Sequence, residues 1–322
     1  MAAFGAARSR MLHHGRRAST LLRPHLPQLN NAPLLKPRLA RVDWEIRQEF
    51  QRSDDPDRTS PEHDWATPAF IAAVDPSRRA RQTVATDLDV AHVQGFRRGF
   101  SFARAVDGVL AESECVDILR ALNGKGFTPA LVGVGGGVQQ YIPDYRDGFR
   151  VIQDSPPFAD WLTEVLRPHL PPTMDGELSQ WGVACKELEL SEVSSWCRFL
   201  CYLPGQQFKP HADGGEMRRP RGSQESSTAR DLSLITIQLY LHDLPAASGG
   251  ATRFLARPQT KPDVDYQPRA GSVLLFTQEL LHEGVVVEEA CRKFTMRSEV
   301  MYSGHHIGRI MNPGSPPRGN NR

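Results

Sequence analysis

Two segments in the first half of the chain carry apolar residues at helical spacing. The first begins at Ser113 and ends before Gly124, and the second begins at Pro157, a residue favoured in the first turn of a helix. The apolar faces consist of Val116, Leu119 and Leu122 in the first segment and of Phe158, Trp161, Leu162, Val165 and Leu166 in the second. This spacing predicts two amphipathic helices that pack against a core.

The second half of the chain is dominated by strand patterns. Short apolar or alternating runs, rich in β-branched residues, are separated by turns that contain Gly or Pro. The predicted strands are 127–134, 196–203, 232–241, 272–277, 285–287 and 294–302. Several short strands after two helices predict a mostly β fold with supporting helices, built as a sandwich or barrel.

The N-terminal residues differ in charge from the rest of the chain. Residues 1–42 contain eight Lys or Arg and no Asp or Glu, which is typical both of an organelle transit peptide and of a disordered basic tail. Both interpretations stay open. We expect a polar extension over 43–95, the main domain over 96–305 and a disordered C-terminal tail over 306–322.

Composition excludes several classes of protein. Subtracting the eight N-terminal charges from the net charge of +2 leaves about −6 for the rest, so nucleic acid is an unlikely partner. No apolar run approaches the ~18 residues that a membrane span needs. The five cysteines have no zinc-site or disulfide spacing, and we expect reduced, buried thiols in an intracellular protein, mitochondrial or cytoplasmic.

Three residues carry the main chemical signal. His211 and Asp213 are two residues apart, so in an extended segment their side chains point to the same side. His282 follows a later predicted strand. Two imidazoles and one carboxylate are the donor set of facial iron sites, which leave coordination positions open for chemistry. We therefore predict a metal centre at His211, Asp213 and His282.

Five sequence blocks surround these residues in a fixed order. They are YLPGQQFKPHAD (202–213), TIQLYL (236–241), GGATRF (249–254), GSVLLF (271–276) followed by HEG (282–284), and KFTMRSEVMY (293–302). This series resembles the catalytic domain of Fe(II)- and 2-oxoglutarate-dependent dioxygenases of the prolyl 4-hydroxylase-like branch. The resemblance covers about 96–302 and is strongest over 198–302.

The resemblance implies a fold and a reaction. It implies a double-stranded β-helix, or jelly-roll, core with Fe(II) as the metal and with 2-oxoglutarate and O₂ as cosubstrates. The expected products are succinate, CO₂ and a substrate hydroxylated at a C–H bond, and ascorbate is an optional reductant. The expected substrate is a protein or peptide, hydroxylated at proline by analogy with the family.

The distal carboxylate of 2-oxoglutarate needs a cation in an apolar barrel, because a buried charge must be paired. The family places a basic residue about ten positions after the second histidine, where this chain has Arg292 and Lys293. Strand alternation puts Arg297 on the same face as Lys293. Lys293 and Arg297 are therefore close rivals for this anchor, with Arg292 behind them.

Other family positions predict the remaining lining of the pocket. Tyr202 and Tyr240 match tyrosines that hydrogen-bond the cosubstrate, although both are equally interpreted as core aromatics. Thr236 and Gln238 share the face of Tyr240, and we expect Thr236 to contact the cosubstrate and Gln238 to line the pocket. Phe208 occupies a position where many relatives have tyrosine, so the chain lacks that hydroxyl.

Three functional hypotheses remain open. The same chemistry could act on a protein, or on a small molecule or nucleic acid, or the scaffold could be a catalytically silent binding module. Residues 214–231 contain four arginines among Gly and Ser, which favours either a mobile lid or a surface loop.

Overall fold

The computed structural model describes residues 82–122, 126–134, 138–178, 183–224, 229–288 and 291–304. The basic tail expected over 1–42, most of the extension expected over 43–95 and the tail expected over 306–322 lie outside the described residues.

Strands dominate the described residues, and two α-helices accompany them. The helices are α1 (Glu112–Leu122) and α2 (Pro156–Leu166), and short 3₁₀ turns cover Arg167–His169 and Ala246–Ser248. The strands are β1 (Val84–Asp87), β2 (Ala103–Asp107), β3 (Thr128–Pro129), β4 (Val132–Gly133), β5 (Gln139–Gln140), β6 (Phe149–Asp154), β7 (Thr173–Leu178), β8 (Val183–Val193), β9 (Trp196–Tyr202), β10 (Phe208–His211), β11 (Met217–Arg218), β12 (Arg230–Tyr240), β13 (Thr252–Phe254), β14 (Val264–Tyr266), β15 (Val273–Thr277), β16 (His282–Gly284) and β17 (Lys293–Gly304).

From β9 onward the chain alternates between two antiparallel sheets. The larger sheet contains the neighbours β15, β12, β17 and β9, and the smaller sheet has the order β10, β16, β13 and β14. The chain thus passes repeatedly from one sheet to the other, with the pairs β11–β12 and β13–β14 each lying within one sheet. This repeated crossing is the winding of a double-stranded β-helix. The predicted mostly β fold with a jelly-roll core is confirmed.

The space between the sheets is filled by apolar side chains from both. Tyr240 and Leu274 come from the larger sheet and Phe254 and Tyr266 from the smaller one, and all four belong to one buried cluster. Alternation places Thr236 and Gln238 on the Tyr240 face of β12. The polar residues that this strand contributes therefore line the interior of the barrel.

Both helices form where their apolar spacing predicts them. Helix α1 begins one residue before Ser113 and buries Ile118, Leu119 and Leu122. Helix α2 has proline in its first turn and buries the complete predicted stripe, including Trp161. Burial of these stripes removes apolar surface from water, at about 25 cal/mol per Å².

Two strand predictions differ from the structure. The predicted strand 127–134 is divided between β3 in the larger sheet and β4, which pairs only with β5. The predicted strand 285–287 is wrong, because the strand is His282–Gly284 and Val287 makes only an isolated bridge with Gly249. Residues 282–284 form the strand because they pair with β10 and β13 on either side, although none of them is apolar.

The folded unit includes residues that composition assigned to the polar extension. Strand β1 pairs with β2, and Val90 and Val93 lie in the core cluster between the sheets. These contacts place residues before Phe96 within the domain. Four of the cysteines in the described part of the chain are buried: Cys115, Cys197, Cys201 and Cys291. None of the described helices has the length and apolar character of a membrane span.

Candidate metal centre

The three predicted metal ligands meet at one end of the smaller sheet. His211 ends β10 and His282 begins β16, and the two residues are partners in the antiparallel register. Asp213 lies just beyond β10, where its amide donates to the carbonyl of Gln278 at 2.9 Å. One donor atom from each ligand lies within 4.8 Å of the other two. Strand pairing therefore joins residues that are far apart in sequence.

Each histidine is oriented by the carbonyl two residues before it. The Nδ1 atom of His211 is 2.8 Å from the oxygen of Lys209, and that of His282 is 2.9 Å from the oxygen of Leu280. With Nδ1 donating to a carbonyl, the proton-free Nε2 atom faces the carboxylate of Asp213, at 3.8 Å in both cases. This is the tautomer that a metal-binding imidazole requires.

Both oxygens of the Asp213 carboxylate have a polar partner. The Thr236 hydroxyl donates to Oδ2 at 2.6 Å, and the Arg297 guanidinium lies 3.0 Å from Oδ1. Burial raises the pKa of Asp213, but Arg297 and the two histidines outweigh it, so the pKa lies below its ordinary value. Thr236 thus supports a metal ligand and is not among the residues that line the cavity.

The protonation states of the ligands suit a divalent cation. Burial, followed by the neighbouring His282, lowers the pKa of His211 to about 3. Burial also lowers the pKa of His282. At neutral pH the centre therefore offers two neutral imidazoles and one carboxylate, the donor set that Fe(II) accepts with positions left open.

Aromatic rings hold the two imidazoles on their outer sides. The Phe208 ring stacks on His211 with centroids 3.6 Å apart, and the Phe276 ring meets His282 edge to face at 4.7 Å. Phe208 also lies 5.6 Å from the ring of Tyr145. Phe208 therefore lines the cavity, and its ring packs against a candidate metal ligand.

A cavity of about 670 Å³ opens beside the three ligands, and Lys293 lies in its wall. Lys293 is 3% exposed, and its ammonium lies 5.9 Å from the ring centre of Tyr202 and 5.8 Å from that of Tyr240. No carboxylate of the described residues lies within ion-pair distance of it. Burial lowers the pKa of Lys293 to about 7. A buried cation without an anion is expected to attract one.

The two arginines that rival Lys293 are placed differently. Arg297 is committed to acids of the chain, with Asp213 at 3.0 Å and Glu299 at 2.6 Å. Glu299 in turn accepts from Arg198 at 2.9 Å. Arg292 is not among the described residues that line the cavity. Of the three candidates, Lys293 alone combines cavity lining, deep burial and an open charge.

Of the other predicted pocket residues, two line the cavity and one is fully buried in the core. Tyr202 and Gln238 line the cavity, and Gln238 donates to the hydroxyl of Thr295. Tyr240 is fully buried, and its hydroxyl shares a 2.7 Å hydrogen bond with Thr252. Thr252 lines the cavity as well, and no sequence signal marked it as a candidate.

The arginine-rich segment after the first two ligands is partly docked on the domain. Residues 217 and 218 pair with β12 as strand β11. Arg218 and Arg221 both bind Glu192, and Arg221 also pairs with Asp160. In the described part of this segment, these two arginines are therefore engaged with acids, while 225–228 lie outside the described residues.

One stretch of the chain, about a third of its length, is similar to a known family. Residues 197–298 match the family model described as the 2OG-Fe(II) oxygenase superfamily. The match contains all three metal-ligand candidates and Lys293. No curated protein matches the chain.

Solved structures with some similarity include prolyl hydroxylases and a biosynthetic enzyme. A collagen prolyl hydroxylase of Paramecium bursaria Chlorella virus-1 is 18% identical over 62% of this chain and 95% of its own, with a TM-score of 0.38. A Pseudomonas putida prolyl-4-hydroxylase is 14% identical over 73% and 100%, with a TM-score of 0.40. The α-ketoglutarate-dependent carbocyclase of nogalamycin biosynthesis is 16% identical over 71% and 91%, with a TM-score of 0.39. These TM-scores are low, so the similarity to these structures supports no conclusion about activity or substrate.

Proposed function

We propose that this chain is a 2-oxoglutarate-dependent dioxygenase that hydroxylates a protein or peptide substrate, a proposal supported by the match of residues 197–298 to the 2OG-Fe(II) oxygenase superfamily. The observation that carries the proposal is the buried, unpaired Lys293 in the same cavity as two histidines and a carboxylate. An iron centre and an anion site within one cavity are what this reaction requires.

His211, Asp213 and His282 would hold the Fe(II). When bound there, Fe(II) supplies activation of O₂ coupled to the oxidation of 2-oxoglutarate to succinate and CO₂. The chain itself fixes the donor atoms, since backbone carbonyls orient both imidazoles and Thr236 and Arg297 hold the carboxylate. Ligands oriented in advance bind a metal without the cost of ordering them first.

Lys293 would bind the distal carboxylate of 2-oxoglutarate. The rings of Tyr202 and Tyr240 flank its ammonium and keep water from it, which strengthens its attraction for an anion. Arg297 would not share this role, because Asp213 and Glu299 already bind it. In this assignment Lys293 binds the cosubstrate, and Arg297, on the same strand face, binds the metal ligand Asp213.

A polypeptide substrate is favoured by the surface beside the cavity. Val132, Gly133 and Gln139 of the β4–β5 hairpin line the cavity. Large exposed apolar residues cluster around the same hairpin: Val134 at 45%, Val138 at 52% and Tyr141 at 43% exposure. Exposed apolar patches next to a cavity favour contact with another chain. Proline is the first residue to test, because the sequence blocks resemble the prolyl 4-hydroxylase-like branch.

The test is turnover of the full-length, Fe(II)-loaded protein. Succinate formation from 2-oxoglutarate should depend on O₂ and be stimulated by a proline-containing peptide library, with a mass gain of one oxygen in the reacting peptide. His211→Ala should abolish succinate formation, and Glu189→Gln, a change on the exposed face of β8, should not alter it. Metal-loaded wild type that forms no succinate under any of these conditions would refute the proposal.

A further inference from the structure

The end of the cavity opposite Lys293 is built from charged residues. Glu299 lies six residues along β17 from Lys293 on the same strand face, a separation of ~20 Å. Arg198, Trp196 and Glu216 line the cavity together with Glu299. This set, the distal end of the cavity, is separate from the anion site at Lys293.

The arginines at the distal end are matched by carboxylates. Glu299 binds Arg198 at 2.9 Å and Arg297 at 2.6 Å, and Arg297 also binds Asp213 at 3.0 Å. Just outside, Arg218 binds Glu192 at 2.7 Å. The charges of these arginines are therefore neutralised within the chain and are not available to bind an anionic substrate.

Among the described residues at this end, Glu216 is the carboxylate without an ion-pair partner. Its Oε2 atom is buried and makes no hydrogen bond to any described residue. Burial raises the pKa of Glu216, and nearby Glu299 adds to this, although Arg198, Arg218 and Arg297 oppose it. An unpaired, partly buried carboxylate is stabilised when a cation binds next to it.

The backbone fixes Glu216 at the wall of the cavity. Its amide donates to the Ser233 hydroxyl at 2.7 Å, and the Ser233 amide donates to its carbonyl at 2.9 Å. These bonds continue the β11–β12 pairing, so the residue sits on the edge of the sheet and not in a free loop. The backbone of Glu216 is therefore fixed at the edge of the sheet, which keeps its side chain beside the cavity.

Space for a ligand group lies next to Glu216. A Cβ atom added at Gly214 would meet no atom within 4 Å, and one added at Gly215 would have its nearest neighbour at 3.7 Å. Both glycines line the cavity. Trp196, half-buried at the same end, adds an aromatic side chain of the kind that favours a neighbouring cation.

We propose that Glu216 is a recognition residue for a cationic group of the substrate, an ammonium or guanidinium, seated between Glu216 and Trp196. This inference rests on the proposed function, since the substrate enters the same cavity as the cosubstrate. It predicts that the preferred polypeptide carries lysine or arginine close to the residue that is hydroxylated.

The experiment measures peptide binding to full-length protein loaded with Mn(II) and 2-oxoglutarate without O₂. The probes are three capped pentapeptides, Gly-Gly-X-Gly-Gly, with lysine, norleucine or glutamate as X. Wild type should bind the lysine peptide about tenfold more tightly than the norleucine peptide, a difference of ~1.4 kcal/mol. Glu216→Gln, which keeps the shape of the side chain, should reduce this ratio to about one.

Two further variants complete the test. Glu216→Lys should reverse the preference towards the glutamate peptide, whereas Glu189→Gln, which removes an exposed acid outside the cavity, should keep the wild-type ratio. Equal binding of lysine and norleucine peptides by wild type, an unchanged ratio in Glu216→Gln, or no saturable binding of any peptide would overturn the inference. Retained 2-oxoglutarate binding in those cases would leave the proposed function intact, and its loss in wild type would refute that function separately.

Discussion

Lys293 gives the most direct test of the cosubstrate site, because its charge state changes near neutral pH. Burial lowers its pKa from an ordinary 10.5 to about 7. A bound carboxylate favours the ammonium form, so binding above pH 7 must include uptake of a proton. The dissociation constant of 2-oxoglutarate should therefore rise about tenfold per pH unit above pH 7.

The same shift predicts the stability of the protein without cosubstrate. Between pH 7 and 10.5 the folded protein binds fewer protons at Lys293 than the unfolded chain does. The free energy of unfolding should therefore rise with pH across this window, by up to ~5 kcal/mol from this residue alone. The destabilisation is fully present below the folded pKa, where the buried ammonium has no anion.

Two substitutions separate charge from shape. Lys293→Met should lose the buried ion pair with 2-oxoglutarate, which is worth about 3 kcal/mol or more and thus over a hundredfold in affinity at pH 6. It should also raise the stability of the cosubstrate-free protein at that pH. Lys293→Arg keeps its charge throughout this range, so its affinity for 2-oxoglutarate should depend much less on pH.

The assay is calorimetric titration of 2-oxoglutarate into Mn(II)-loaded protein from about pH 6 to about pH 9, with proton uptake obtained from buffers of different ionisation enthalpy. His211 should not contribute, because its pKa lies at about 3, and burial lowers the pKa of His282 as well. A flat pH profile in wild type, or a Lys293→Met variant that binds as tightly as wild type, would refute the assignment of Lys293 as the anchor.

Three further predictions concern the metal ligand, the charged network and the barrel wall. Arg297→Met should weaken Mn(II) binding about tenfold or more by releasing one oxygen of Asp213, measured by electron paramagnetic resonance, and unchanged affinity would remove its supporting role. Glu299→Gln should lower the free energy of unfolding by about 3 kcal/mol, because two arginines lose their carboxylate, and urea denaturation with a wild-type midpoint would contradict this. Gly271→Ala should prevent folding, since its φ is +73° and a Cβ would lie 1.9 Å from the Leu110 carbonyl oxygen; soluble, wild-type-like protein by circular dichroism would show that reasoning to be wrong.

The convergence of the three candidate metal ligands was predictable because their arrangement is local or repeats a known order. Strand alternation alone brings His211 and Asp213 to one side, and the order of sequence blocks supplies His282. The choice between the candidate anchors was not predictable in the same way. Alternation places Lys293 and Arg297 on one face, and only the tertiary positions of Asp213 and Glu299 distinguish them.

Strands with a strong apolar pattern were predictable from the sequence, and strands made mostly of polar residues were not. Strand β12 is evident from its alternation, whereas β16 reads His-Glu-Gly and has no apolar residue. Strand β8 alternates charged residues with small or apolar ones, which suits an outer strand and gives a weak signal. The sequence likewise could not predict that Glu216 has no ion-pair partner among the described residues, because this depends on which charged residues of distant strands pair with each other.

One strand, β17, connects both ends of the cavity. It begins at Lys293, carries Glu299 six residues later, and is paired with β12 on one side and with β9 and β8 on the other. A strand held on both sides does not slide, since a slip would break every cross-strand hydrogen bond. If 2-oxoglutarate binds at Lys293 and the substrate binds at the distal end of the cavity, β17 fixes the distance between the two, and the length of the substrate side chain becomes a criterion of selection.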